Sequence, residues 1–149
     1  MDNNNNLSIV VVGGGLVGST FACLAASHGF NVKLIDQSNF SKMTSDDFDG
    51  RASAISKSSK LLLENLNIWK DLIDELQPIW QIRVSEENSE NYLHFNSSDY
   101  GEEPLGYMVE NRSLRKAIIK SISKFPNISV YESTKVVKID ADVNESKVF

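Results

Sequence analysis

The hydrophobic residues near the start of the chain follow the order strand, helix, strand. An apolar run from Leu7 to Val12 predicts a buried strand. Small and apolar residues with helical periodicity come next, and Gly29 marks the end of the predicted helix. A second run, from Asn31 to Asp36, predicts another strand and ends in an acid. This order predicts a β-α-β unit with a parallel sheet.

The pattern is less regular after the second strand. Residues 37–50 are rich in Ser, Asp and Lys and lack periodicity, which predicts a loop. Helical spacing then returns over a stripe of residues that one helix face would bury: Ile55, Ser59, Leu62, Leu66 and Trp69. Asn67 is expected to end this helix, because Asn tolerates the left-handed conformation found at many helix ends. A second short helical segment, 70–76, should stop before Pro78.

Short strands replace helical spacing from Pro78 onward. Residues 79–84 and 92–95 are predicted as strands, joined by a polar turn or hairpin loop at 85–91. Residues 96–104 are predicted to form another loop. These segments interrupt the alternation of strand and helix with which the chain begins.

A helix with one apolar face is predicted after the segment 106–112. Its buried stripe is expected to consist of Leu114, Ile118, Ile122 and Phe125. Pro126 breaks the helix, and strands are predicted at 128–131 and 136–139. Residues 148–149 read as the opening of a further strand. Because a domain seldom ends on half a hairpin, the chain is expected to be an incomplete, N-terminal portion of a longer protein.

Composition adds few constraints on function. A chain of 149 residues favours one domain, and its net charge of -5 gives no reason to expect nucleic-acid binding. No apolar run approaches the ~20 residues of a membrane span. The single Cys23 fits a reducing cytoplasm and is expected to lie in the core. His28 and His94 lack metal-ligand spacing, so no metal site is predicted.

The turn after the first strand has the spacing of a dinucleotide-binding motif. Gly13 would allow the sharp turn, Gly15 the close approach of a pyrophosphate, and Gly18 the close packing of the helix. Leu16 and Val17 lie where the backbone N–H groups of the helix N-terminus would face the phosphates. The alternative is a β-α-β unit whose glycines serve packing alone.

Asp36 lies at the end of the second strand, about twenty residues beyond the glycines, where a carboxylate accepts hydrogen bonds from a ribose 2′-hydroxyl. The same negative charge would repel a 2′-phosphate. Asp36 therefore argues against NADP at this position.

Three segments occur together in this sequence: the glycine motif with Asp36, Asp49-Gly50-Arg51-Ala52, and Gly106-Tyr107-Met108-Val109-Glu110-Asn111-Arg112-Ser113-Leu114. Together they resemble the FAD-dependent hydroxylases of ubiquinone biosynthesis, a branch of the para-hydroxybenzoate hydroxylase-like aromatic monooxygenases. The first segment is shared with many dinucleotide-binding proteins, whereas the other two point to this branch. The resemblance implies a Rossmann-like FAD-binding domain in the α/β class, with a parallel sheet, plus the start of a mixed-sheet substrate domain.

The resemblance also implies an activity. Members of the family use FAD, O2 and NAD(P)H to hydroxylate a phenol ring, here a polyprenylated phenol. Other ubiquinone-biosynthesis proteins are then the expected partners, and nucleic acid is not. The chain would be cytoplasmic and peripheral to the inner face of the membrane.

Roles for individual residues follow from the same resemblance. Gly13, Gly15 and Gly18 would hold the FAD pyrophosphate, and Asp36 the adenosine ribose. Arg51 would lie near the phosphates and the flavin; its alternative is a surface ion pair with a neighbouring acid.

The remaining assignments carry clear alternatives. Arg112 and Asn111 would contact the cofactor from the substrate-domain side, but relatives often carry Arg where this chain has Asn111, which could instead cap the helix. The backbone of Val136 would meet the adenine; its alternative is a plain core valine. No catalytic residue is assigned.

The resemblance divides the chain into a disordered tail at 1–6, an FAD-binding part at 7–77, the start of a substrate domain at 78–105, and a truncated return to the FAD-binding domain at 106–149. A later Gly-Asp motif of the family is absent from these residues. We therefore expect weak or no flavin binding and no hydroxylase activity from this chain alone.

Two other functions remain open. A non-catalytic FAD-binding remnant of a split gene would carry the same residues. An NAD-binding dehydrogenase domain would use the same β-α-β unit, but it predicts continued alternation after Asp36, where this sequence has a loop, Asp49-Gly50-Arg51-Ala52 and a hairpin.

Overall fold

The computed structural model describes residues 8–45, 47, 49–87, 91–143 and 145–149. These residues form two compact units. The first unit is drawn from residues up to 47 and from 114 onward, and the second from the residues between them. The expected tail at 1–6 lies outside the described residues.

A parallel sheet forms the centre of the first unit. Strand β1 (Ser8–Val12) leads through helix α1 (Leu16–Ser27) to strand β2 (Asn31–Ile35). β1 and β2 pair in parallel, and β8 (Ile128–Tyr131) pairs in parallel with the other edge of β2. The strand order is β1-β2-β8. The predicted β-α-β unit with a parallel sheet is therefore confirmed.

Small side chains on α1 allow the helix to lie close to this sheet. Ala22, Cys23, Ala25 and Ala26 are all buried. Cys23 is fully buried, as expected for a core residue. Burial raises the pKa of its thiol to about 11, although the hydrogen bond with Ser121 and the charge of Lys124 act in the opposite direction.

The predicted loop at 37–50 contains a short helix, α2 (Phe40–Met43). The side chain of Asn39 caps it by accepting a hydrogen bond from the Ser41 amide at 2.8 Å. Phe40 is buried, which anchors the helix. The loop prediction was therefore wrong here, because a capping Asn and one apolar residue suffice to start a helical turn in a polar stretch.

Helix α4 (Asn111–Ile122) buries Leu114, Ile118 and Ile122, as its predicted stripe requires. Phe125 lies beyond the end of the helix and is half-buried. The last strands, β9 (Ile139–Ala141) and β10 (Ser146–Val148), pair antiparallel. The strand predicted to open at 148–149 therefore begins earlier, at Ser146, and Phe149 lies outside it.

The strand predicted at 136–139 was wrong over most of its length, because β9 begins only at Ile139. The N–H of Val137 donates to the Phe149 carbonyl at 2.7 Å, and Val136 has no regular secondary structure.

The second unit is built on an antiparallel sheet of three strands. These are β3 (Ala52–Ser56), β7 (Gly106–Glu110) and β4 (Gln77–Ile79), in the order β3-β7-β4. Ile55 lies on β3 opposite Tyr107, so its prediction as a helical residue was wrong. The helix that follows, α3 (Lys57–Asn65), starts at a Ser56 cap.

The rest of the predicted helical stripe was correct only in part, because α3 ends at Asn65 and Ser59 is exposed, whereas Leu66 and Trp69 are buried beyond the end of the helix. Asn67 has a positive φ of 55°, as expected of a residue after a helix end. The predicted segment 70–76 consists of two 3-10 helices, Trp69–Asp71 and Ile73–Glu75. A further 3-10 turn, Ser97–Asp99, lies in the predicted loop at 96–104.

A hairpin completes the second unit. β5 (Gln81–Ser85) and β6 (Tyr92–Asn96) pair antiparallel, with Ile82 opposite Phe95. The single strand predicted at 79–84 is divided at Trp80, whose side chain is 49% exposed and so does not lie in the core. Within the predicted turn, residues 88–90 lie outside the described residues. Among the helices that are described, none is long and apolar enough to cross a bilayer.

Candidate dinucleotide-binding site

The turn after β1 has the geometry that its glycines predict. Gly13 has a φ of +105°, in a region that favours glycine, and its N–H donates to the Ile35 carbonyl at 2.8 Å. A Cβ built on Gly15 would meet no atom of a described residue within 4 Å. The backbone at Gly15 is therefore open to a ligand.

Gly18 has a different and purely steric task. A Cβ at this position would lie 1.9 Å from the carbonyl oxygen of Gly13. A side chain would push α1 away from the turn, so glycine is required for the first helical turn to lie where it does.

The N-terminus of α1 is suited to an anion. No side chain of a described residue caps the helix at Gly15, and the first turn of the helix contains no acidic residue. Its first amides, including those of Leu16 and Val17, have no carbonyl partner within the helix. Val17 is 84% exposed. Free amides and the helix dipole together favour a phosphate here.

Asp36 is fixed to the glycine turn. Its Oδ2 accepts a hydrogen bond from the Gly14 amide at 2.5 Å, and its Oδ1 accepts one from the Ser38 amide at 2.6 Å. Its own amide donates to Tyr131 at 3.0 Å, and its carbonyl accepts from Thr134 at 2.9 Å. A carboxylate offers about four acceptor positions, so ribose hydroxyls can still bind to this one.

A cavity of about 230 Å³ lies beside this carboxylate. It brings together three residues that sequence reasoning had assigned to the ligand: Gly13, Asp36 and Val136. Pockets for drug-sized ligands measure roughly 300–1,000 Å³, so this cavity suits one portion of a dinucleotide.

Sequence reasoning missed several residues of this cavity. Gln37, Thr134 and Lys135 also line it. Gln37 follows Asp36 directly and could have been found from the motif. Thr134 and Lys135 lie about a hundred residues away in sequence, and only the parallel pairing of β8 with β2 brings their segment to Asp36.

Arg51, in the second unit, makes the surface ion pair that the sequence left open as the alternative to a contact with the cofactor. Its Nη2 lies 2.8 Å from Asp49 Oδ2, and its Nε donates to the same oxygen at 3.2 Å. The Arg51 side chain is 68% exposed. Such pairs contribute little to stability, so the guanidinium remains available to another anion.

Asn111 and Arg112 begin α4 at the end of β7. Asn111 Oδ1 accepts a hydrogen bond from the Ser53 hydroxyl at 2.6 Å, and the Asn111 amide donates to the Arg51 carbonyl at 3.0 Å. The Nε of Arg112 donates to Glu110 at 2.5 Å. These contacts join β3 to the start of α4.

The second unit also has a cavity of about 340 Å³. Three carboxylates line it, those of Asp74, Glu75 and Glu110. Their charge disfavours a phosphate, so this cavity is a poor candidate for the pyrophosphate of a dinucleotide.

Comparison with known proteins identifies the relatives of this chain. Residues 11–76 match the family described as an NAD(P)-binding Rossmann-like domain. Ubiquinone hydroxylase UbiL of Rhodospirillum rubrum is 36% identical over 136 residues, which cover 91% of this chain and 32% of that protein. Ubiquinone hydroxylase UbiM of Neisseria meningitidis is 30% identical over 145 residues, which cover 94% and 32%.

The chain is therefore similar to ubiquinone hydroxylases over almost its whole length. The family resemblance predicted from the sequence is thereby confirmed. The 3-demethoxyubiquinol 3-hydroxylase of Escherichia coli is a further relative, 32% identical over 130 residues. The chain spans about a third of the length of these curated relatives.

Solved structures show the same fold. The p-nitrophenol 4-monooxygenase PnpA of Pseudomonas putida matches 95% of this chain and 36% of its own, with a TM-score of 0.72 and 19% identity. PqsL of Pseudomonas aeruginosa, a probable FAD-dependent monooxygenase, matches 92% and 35%, with a TM-score of 0.68 and 14% identity. The predicted α/β fold class is confirmed.

Proposed function

We propose that this chain forms the nucleotide-binding part of an FAD-dependent hydroxylase that acts on a phenolic precursor of ubiquinone. The observation that carries this proposal is the cavity shared by Gly13, Asp36 and Val136, beside the uncapped N-terminus of α1. The similarity of the chain to ubiquinone hydroxylases supports the reaction and the substrate class.

The proposed ligand is the ADP portion of FAD. The pyrophosphate would lie over Gly15 and accept hydrogen bonds from the amides of Leu16 and Val17, with Gly18 holding the helix close to the turn. The ribose hydroxyls would donate hydrogen bonds to the Asp36 carboxylate.

The adenine would lie against the backbone of Val136, which lines the same cavity as Gly13 and Asp36. Bound flavin would supply the oxygen chemistry, which no side chain can perform. NAD(P)H is the proposed electron donor.

Arg51, Asn111 and Arg112 are proposed to serve the flavin end of the cofactor. The exposed guanidinium of Arg51 can exchange the Asp49 carboxylate for a phosphate, because its parallel N–H donors bind either anion. Asn111 holds the backbone of Arg51 through its own amide. In this proposal, residues 7–77 and 106–149 belong to the FAD-binding domain and residues 78–105 begin the substrate domain.

The partners proposed for the longer protein are a polyprenylated phenol and other proteins of ubiquinone biosynthesis. A substrate of this kind favours a location at the inner face of the membrane. No partner is proposed among nucleic acids, in keeping with the acidic net charge of -5.

An NAD-binding dehydrogenase domain is the second candidate, because the matching family is described by NAD(P). Against it, β2 is followed by α2 and then by the antiparallel sheet of the second unit, so the β-α alternation is not continued.

A titration separates the two candidates. The purified chain is titrated with FAD, ADP and NADH while the amide signals of Gly14, Gly15 and Asp36 are followed by NMR. We expect FAD and ADP to shift these signals with similar, weak affinity, without hydroxylase turnover. Tight NADH binding with no response to FAD would favour the dehydrogenase.

A further inference from the structure

We propose that Phe40 is a positioning residue of the nucleotide site, because its ring seats the glycine turn against Asp36 and so orients the carboxylate before a ligand binds. The ligand in this inference rests on the proposed function.

The ring of Phe40 lies directly against Gly14. A Cβ built on Gly14 would lie 2.7 Å from Cε1 and 2.8 Å from Cζ of Phe40, and 3.2 Å from Cβ of Asp36. Phe40 is only 6% exposed. The ring therefore occupies the space that a side chain at position 14 would need, and Gly14 can move little in that direction.

Gly14 is also held by both of its polar backbone groups. Its amide donates to Asp36 Oδ2 at 2.5 Å, and its carbonyl accepts a buried hydrogen bond from the Ser19 hydroxyl at 2.8 Å. The ring of Phe40 adds an apolar contact to these two polar ones. Removing the ring leaves room for the Gly14 peptide to move away from the carboxylate.

Phe40 is itself tied to another part of the first unit. Its amide donates to Oε2 of Glu132, at the end of β8, over 3.2 Å. The Asn39 cap fixes the start of α2. Nearby, the Ser133 amide donates to the Ser38 carbonyl at 3.3 Å. The backbone at Phe40 is thus tied to the segment that leads to Thr134, while its ring lies against the glycine turn.

This arrangement separates Phe40 from an ordinary core residue. Many apolar side chains are buried in this unit, but this ring contacts the glycine whose amide orients Asp36. A shift of the Gly14 peptide would free one oxygen of Asp36 and let the carboxylate turn. Ribose binding depends on the direction of the lone pairs of this carboxylate. The loss of the ring should therefore reduce the affinity for the nucleotide more than it reduces the stability of the fold.

The test uses the whole chain and compares Phe40→Leu with Ile118→Val. Ile118 is a buried residue of α4 in the same unit, 2% exposed, and has no contact with the glycine turn among the interactions described above. Hydrogen exchange of the Gly14 amide is measured without ligand, with the Val32 amide as internal reference. The dissociation constant for ADP is measured in parallel, together with the melting temperature.

We expect Phe40→Leu to speed Gly14 exchange by about tenfold relative to Val32, because local opening of the turn becomes easier. ADP affinity should fall by about fivefold or more. Ile118→Val should lower the melting temperature while leaving both quantities unchanged. Equal Gly14 exchange in the two variants would overturn the proposal.

Glu132→Ala provides a second test of the proposal that leaves the buried Phe40 ring in place. It removes the acceptor of the Phe40 amide, and we expect the same two changes at smaller size. This variant decides the question if Phe40→Leu does not fold, since unchanged Gly14 exchange in Glu132→Ala would then overturn the proposal. If Gly14 exchange responds as expected but NADH binds tightly while FAD leaves the Gly14, Gly15 and Asp36 amide signals unchanged, the proposed function fails and the seating of the glycine turn by Phe40 stands.

Discussion

The amide of Gly14 and the carboxylate of Asp36 are joined by a hydrogen bond of 2.5 Å across 22 residues of sequence. The bond connects the two parts of the proposed site, the glycine turn proposed for the phosphates and the carboxylate proposed for the ribose. Because both groups belong to the protein, the bond fixes the carboxylate relative to the glycine turn. A fixed arrangement of this kind lowers the cost of ordering the protein when a ligand binds.

Replacing Asp36 by Asn keeps the shape of the side chain, removes its charge and turns one acceptor oxygen into an NH2 donor, so that either the Gly14 amide or the Ser38 amide loses its acceptor. We expect ADP affinity to fall by about tenfold, because two charge-assisted hydrogen bonds to the ribose become neutral. The preference for ADP over 2′,5′-ADP should be lost, since the charge that repels a 2′-phosphate is gone. Calorimetric titration with both ligands measures these changes. Asp140→Asn, at an exposed acid of β9, is the matched control and should bind both ligands like the wild type.

Gly15→Ala should affect binding and spare the fold. The added methyl meets no described atom within 4 Å, and the φ of -69° at Gly15 suits any residue. The methyl would instead occupy the path of the pyrophosphate. We expect an unchanged melting temperature and ADP affinity reduced by about tenfold or more. Unreduced affinity would show that the phosphate does not pass over Gly15.

Gly18→Ala should have the opposite effect. Its methyl would lie 1.9 Å from the Gly13 carbonyl oxygen, and backbone cannot yield as a flexible side chain can. We expect a loss of roughly 3 kcal/mol in the free energy of unfolding, at the upper end of overpacking costs, measured by urea denaturation. A loss as small as that of Gly15→Ala would contradict the close contact between α1 and the turn.

The buried thiol of Cys23 predicts a dependence of stability on pH. Burial raises its pKa from 9.0 to about 11, so the folded state keeps a proton that the unfolded state loses. Stability from this group is complete below pH 9 and is lost as the pH rises through about 11. Cys23→Ala should therefore lose less stability than the wild type between pH 9 and pH 11 in thermal unfolding. Parallel curves for the two proteins would rule out this effect.

The first β-α-β unit could be predicted from the sequence because each of its signals is local. The apolar runs, the glycines and Asp36 lie within thirty residues and agree with one another. Ile55 was misassigned because β3 passes directly into α3 at Ser56, so strand residues continued the apparent spacing of the helix. Local periodicity cannot resolve a boundary without a turn between the two elements.

The parts of the site that sequence reasoning missed depend on tertiary contacts. Nothing local to Phe40 indicates that its ring lies against Gly14, since 25 residues lie between the two positions and the sequence around Phe40 is polar. Lys135 reaches the cavity only through the position of β8. Val136 lines that cavity, but its contact with the ligand stays a prediction, and its placement on a strand was wrong.

A crystal structure of the chain with ADP tests the central claim most directly. We expect the ribose hydroxyls within hydrogen-bond distance of Asp36, the pyrophosphate at the amides that begin α1, and the adenine against Val136. ADP bound elsewhere, or bound with its ribose turned away from Asp36, would contradict the assignment of this cavity to a dinucleotide.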